Sequence, residues 1–174
     1  LSTTDNRIEA VQKVLNEKYN NQERISVYVK QLDTDRVAAI NDEKSMYAAS
    51  VAKLGVLYYA QERLSQKKLA LSDEYQYTSA VNGFPGAYDP DGSGKISKIP
   101  DDKNYSLENL LKAVAQNSDN VATNILGYYV ANQYDKAFQK SVDKAAATSW
   151  NMDKKELTAR AAGTLMEAVY RQNG

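Results

Sequence analysis

The sequence predicts a helix-rich α/β fold in which an opening helix and a β-hairpin precede a segment that is helical throughout. Three observations carry this expectation. Apolar spacing switches from helical to period two near Arg24, residues 51–64 are apolar almost all round, and two further helical patterns meet at a polar elbow, residues 117–120. With 174 residues, 43% hydrophobic and 25% charged, the chain can bury one sizeable core and lacks the composition of a disordered protein.

Thr3, Thr4 and Asp5 are candidate caps for a first helix whose apolar positions Ile8, Val11, Val14 and Leu15 recur at helical spacing. From Arg24, Ile25, Val27 and Val29 alternate with Ser26, Tyr28 and Lys30, which reads as a strand with one buried face. Asp33, Thr34 and Asp35 supply turn chemistry, and residues 36–41 return as the second strand. The apolar run at 51–64 predicts a central buried helix. Turn formers then crowd residues 82–94, an expected exposed loop. Its Asp89-Pro90-Asp91-Gly92-Ser93-Gly94 begins like a calcium loop but reaches Pro100 where the closing glutamate belongs. Ser106 can cap a helix carrying Leu107, Leu110, Leu111 and Val114, and a second helix follows through Val121, Ile125 and Leu126. A last helix is expected from about Thr158 to Tyr170, stopped at Asn173-Gly174. The expected organisation is residues 1–49 as helix and hairpin, and 50–174 as an all-helical subdomain.

Lys plus Arg and Asp plus Glu each total 22, so no net field favours nucleic acid. Cysteine and histidine are both absent, which removes thiolate nucleophiles, disulfides and every imidazole base. A hydrolase built on this chain needs another base. No apolar run has transmembrane length, and the start, LSTTDNRIEA, lacks the basic and apolar blocks of a signal peptide, so a leader is expected only upstream.

Ser50-Val51-Ala52-Lys53 reads S-x-x-K at the head of the apolar run. Residues three apart share a helix face, so the Lys53 amine can approach the Ser50 hydroxyl, and burial would lower its pKa towards the neutral form a base requires. Taken alone this is a helix cap and a snorkelling lysine. Ser118-Asp119-Asn120 follows 68 positions later at the elbow, and taken alone it is an Asx turn. Together and in this order, S-x-x-K and S-D-N resemble the signature of the class A β-lactamase and penicillin-binding family. SLENLLKAVAQNSDNVATNIL looks like that family's helix, elbow and helix, and ELTARAAGTLMEAVYRQNG like the helix after its omega loop.

The resemblance implies a β-lactamase/transpeptidase-like fold and a serine hydrolase acting on β-lactams or peptidoglycan-type D-amino-acid peptides. It implies Ser50 as nucleophile, Lys53 as activating base and Ser118 as proton relay. Asn120 would bind the substrate amide, Tyr88 would touch substrate from the cleft rim, and Asp119 would hold the elbow in shape. The backbone N–H of Ser50 would supply an oxyanion donor. Neither a cofactor nor a metal is implied, and the location would be extracytoplasmic, secreted or anchored at the cell surface.

Two departures shape the expectation. The family's K-T-G strand is absent, so the fold is expected to be incomplete, lacking its C-terminal strands: a fragment, a truncated or proteolysed chain, or a sheet completed by a second chain. Where class A enzymes follow a tryptophan with a deacylating glutamate, Trp150 precedes Asn151, which cannot act as a general base. Glu156 is the nearest glutamate, placed to cap the last helix. A long-lived acyl-enzyme is therefore expected from a complete protein and no turnover from this chain alone. The alternative from another class is a catalytically inactive, family-derived binding or scaffolding module of the cell surface.

Overall fold

The computed structural model describes residues 5–172. Helix α1 (Arg7–Tyr19) opens the chain; Thr3 and Thr4, expected among its caps, lie outside the described residues. Asp5 contributes instead, its carboxylate accepting hydrogen bonds from the Arg7 backbone N–H and from Gln31. Ile8 and Leu15 are buried as the spacing predicts, whereas Val14 is exposed.

Strands β1 (Val27–Gln31) and β2 (Arg36–Ile40) form the antiparallel hairpin, with Gln31 opposite Arg36 across the turn. Its two faces are both covered, unlike the one-sided strand that alternation suggested. Val27 and Val29 join the small core of Ile8, Leu15 and Ala38 beneath α1. On the other side Tyr28 packs on Gly163 so closely that a Cβ there would lie 2.4 Å from its ring, and Lys30 donates to Glu167 at 2.8 Å. The outer edge of β2 is occupied by a side chain. Gln12 donates to Ala39 O at 3.0 Å and accepts from Ala39 N at 2.8 Å, pairing as a neighbouring strand would. Among the described residues β1 pairs with β2 alone, so its far edge is open.

Strand β3 (Met46–Tyr47) leads through a 3₁₀ turn, Ala49–Lys53, into α2 (Leu54–Ser65). Strands β4 (Glu74–Gln76) and β5 (Asn104–Ser106) pair with each other and bracket a long loop. That loop is not simply exposed, since Val81, Phe84 and Tyr88 are buried. Helix α3 (Leu107–Asn117) is capped by Ser106 and α4 (Asn120–Tyr129) by Asp119, each side chain accepting a backbone N–H three residues on. The sequence reading lacked α5 (Lys136–Ala146), which buries Phe138, Val142 and Ala146 at four-residue intervals. Strand β6 (Glu156–Leu157) pairs with β3, and α6 (Ala159–Arg171) follows. The part after residue 50 is thus helix-rich, with the β4–β5 ladder and the single strand β6 that pairs back to β3, rather than helical throughout. Glu156 lies in β6, and Thr158 caps α6, accepting from Ala161 N at 3.0 Å. The stop expected at Asn173-Gly174 lies outside the described residues.

One apolar cluster joins α2, α3, α4, α5 and α6, with Trp150 fully buried inside it. A methyl group on Gly55 would lie 2.6 Å from Trp150 Nε1, and the indole donates to Ala52 O at 3.2 Å. The glycine lets the indole lie against the first turn of α2, directly under the S-x-x-K segment. No described helix is long and apolar enough to cross a membrane.

Candidate active site

The backbone that presents Ser50 is held from several directions. Ala48 N donates to Lys155 O at 2.7 Å, which anchors the end of β3 to the loop before β6. Ala49 has φ +45, a left-handed conformation that a residue with a side chain adopts at some cost and keeps only when its surroundings impose it. Here Tyr88 imposes it, its hydroxyl donating to Ala49 O at 3.0 Å. Ser50 then stands exposed at the surface of the 3₁₀ turn, where residues three apart eclipse and Lys53 falls beneath it.

Lys53 is only 3% exposed. Its ammonium donates to Ser118 O at 2.6 Å, to Ser118 Oγ at 3.0 Å and to Asn120 Oδ1 at 2.6 Å, which uses all three protons. Among the described residues no hydrogen bond joins it to Ser50. Burial pulls the Lys53 pKa down to about 8, the nearby Lys155 charge adds to the fall, and Asp119 opposes it. No carboxylate comes within ion-pair distance of Lys53 among the described residues.

The elbow is shaped by Ser118, at φ +50, and by the buried Asp119 carboxylate. Asp119 Oδ1 accepts from Ala122 N at 2.9 Å, while Oδ2 accepts from Lys95 N at 2.7 Å and Ile96 N at 3.0 Å. One side chain therefore caps α4 and ties down the long loop. A Cβ at Gly94, where φ is +129, would lie 2.4 Å from that carboxylate. Asn120 is 8% exposed; besides accepting from Lys53 it donates from Nδ2 to Asp89 O at 2.8 Å, which leaves one amide proton for a ligand.

Tyr88, expected at the cleft rim, is buried. Its backbone is clamped by Asn124, which accepts from Tyr88 N at 2.7 Å and donates to Tyr88 O at 2.8 Å. The Lys53 ammonium stands 4.6 Å from the Tyr88 ring centroid and the Lys155 ammonium 4.4 Å from the same centroid. The structure thus brings Ser50, Lys53, Ser118, Asp119 and Asn120 together, and puts Tyr88 beneath the backbone that carries Ser50 rather than on the cleft wall. Sequence reasoning missed Lys155 and Asn124. The second had a signal, since it lies four residues after Asn120 on the same face of α4.

In the loop after α5, Asn151 Oδ1 accepts from Lys154 N at 3.0 Å and so serves a turn, while the Asp153 and Glu156 side chains are exposed. Among the described residues no group of three or more acidic side chains is arranged to hold a metal. A cavity of about 580 Å³ lies beside the turn that carries Ser50, touching Ala48 and Val51, rather than over Lys53. It is an apolar trough between the open edge of β1 and α6, lined by Tyr28, Val51, Leu54, Leu157 and Met166.

The model of the beta-lactamase enzyme family matches residues 6–174. No curated protein matches the chain. Among solved structures, penicillin-binding protein PBP-A superposes with a TM-score of 0.73 at 14% identity, over 93% of this chain and 62% of that one. A β-lactamase from Sphaerobacter thermophilus gives 0.69 at 17% identity, over 97% and 63%. Penicillin-binding protein 5 from Haemophilus influenzae gives 0.66 at 18%, over 84% and 44%. The chain spans less than two thirds of the length of these structures.

Proposed function

Because the chain belongs to the beta-lactamase enzyme family, we propose that its site performs acyl transfer on β-lactams or peptidoglycan-like D-amino-acid peptides through an ester on Ser50. The observation that carries this reading is the buried Lys53, bound to Ser118 and Asn120 beneath the exposed Ser50. As a neutral amine, Lys53 takes the Ser50 Oγ proton while Oγ attacks the substrate carbonyl. The C–N bond then breaks, and the proton returns through Ser118 Oγ to the leaving nitrogen. The Ser50 N–H donates to the developing oxyanion. Asn120 offers its remaining amide proton to the substrate.

Hydrolysis of the ester is slow in this reading, because Asn151 is occupied by a turn and the loop's carboxylates lie at the surface. The trough beside Ser50 takes added polypeptide strand, since β1 has a free edge there and the matched structures are longer. An extracytoplasmic location goes with this substrate class.

Fluorescent penicillin tests the reading on the full-length gene product. A covalent band that persists for many minutes, disappears in Ser50→Ala and is accompanied by little nitrocefin turnover is the expected result. Absence of any band in the full-length product would overturn it and leave a binding or scaffolding module.

A further inference from the structure

The acyl-transfer reading leaves Lys155 without a task, although it stands beside Lys53. Its backbone is left-handed, at φ +54, and its carbonyl accepts from Ala48 N at 2.7 Å, so the residue is fixed against the turn that presents Ser50. The ammonium is half-buried, donates to Gly86 O at 3.1 Å and faces the same Tyr88 ring as Lys53. Distances of 4.4 and 4.6 Å to one centroid place the two nitrogens within about 9 Å of each other.

No ion pair within 4.0 Å relieves either lysine among the described residues. The charged groups acting on them are Asp119 from the elbow, on Lys53, and Asp153 from Lys155's own loop, on Lys155, while Tyr88 offers its ring to both and Tyr47 acts on the Tyr88 hydroxyl. Two like charges held in one poorly solvated pocket oppose each other, and a side chain serving only to pack has no need of the second charge. Burial pulls the Lys155 pKa below its ordinary value as well, with Asp153 opposing.

We propose that Lys155 is a positioning residue for the Ser50–Lys53 pair, its charge beside the shared Tyr88 ring holding the Lys53 amine towards the neutral form that removes the Ser50 proton. This rests on the acyl-transfer reading for its purpose but not for its test. At the 9 Å limit, Coulomb's law with an effective dielectric between 80 and 20 displaces the Lys53 midpoint by about 0.3 to about 1.4 pH units.

The experiment is an NMR titration of the protein with isotope-labelled lysine side chains, Lys53 being assigned from Lys53→Arg and no substrate being present. Lys155→Met is expected to raise the Lys53 midpoint by that amount, and Lys155→Arg to leave it in place. A Lys53 midpoint unmoved in Lys155→Met, or moved equally in Lys155→Arg, overturns the proposal. Lys155→Gln stands in if Lys155→Met does not fold. Penicillin labelling of the wild type, run alongside, reports separately on acyl transfer: a protein that never labels but shows the midpoint shift retains the electrostatic coupling and loses the proposed reaction.

Discussion

Lys53→Met replaces a buried ammonium by an apolar side chain of similar length, and its effect on stability has a pH signature. The folded-state pKa of Lys53 is down at about 8 against an ordinary 10.5. Between those values the unfolded chain binds a proton that the folded chain has released. Stability must therefore rise with pH across this window, the penalty for burying the charge being full below pH 8 and gone above 10.5. Integrating the linkage between pH 7 and pH 10 gives the wild type a gain of about 2.5 kcal/mol from this one group. Tyrosines and other lysines titrate in the same range, so the quantity to measure is the difference between wild type and Lys53→Met. Urea unfolding of both at half-unit steps from pH 7 to pH 10 supplies it. Lys53→Met also strands the Asn120 and Ser118 acceptors, a cost that offsets the comparison by a constant without changing its slope. A difference that stays flat to within about 0.5 kcal/mol would show that Lys53 ionises as an ordinary lysine, and the account of it as a base near neutrality would fail.

Gly55→Ala drives a methyl group to 2.6 Å from Trp150 Nε1, and the indole is walled in by the core. Overpacking should cost about 1 to 3 kcal/mol, of which helix propensity returns at most about 1 kcal/mol, with a shift in tryptophan emission; an unmoved emission spectrum together with raised stability would show that the core has room. Asp119→Asn leaves one acceptor oxygen where two serve three backbone N–H groups. A loss of about 2 to 3 kcal/mol and faster amide exchange at Lys95 and Ile96 are expected, and native-like protection there would contradict the role given to this carboxylate.

What the sequence disclosed follows the range of the forces involved. The cap of α3 was legible because Ser106 bonds to an N–H group three residues away and its residue type declares it, whereas Asp119, read as holding the elbow in shape, also caps α4. S-x-x-K and S-D-N were legible as a pair, yet their meeting through Lys53 spans 65 and 67 residues. The second buried face of β1 was not legible, because Tyr28 and Lys30 look like solvent-facing residues until Gly163 and Glu167 arrive from α6. Nor was the β3–β6 ladder, since two-residue strands have no period and more than a hundred residues separate Met46 from Leu157. The burial of Tyr88 was not legible either: the resemblance put it at the cleft rim, and its inward turn depends on Asn124 and two lysines distant in sequence.

The amide of Gln12 gives the hairpin a polarity. By answering both the donor and the acceptor of Ala39, it stops the sheet at β2 as a capping group stops a growing polymer. Elongation is left one direction, outward from β1, into the trough that Val51 and Leu54 share with the turn carrying Ser50. Any strand that enters this trough meets Ala48 and Val51, which flank the turn carrying Ser50. Growth of the sheet and closure of the space beside the Ser50 turn are consequently one event, and a hairpin sealed on the opposite side would have separated them.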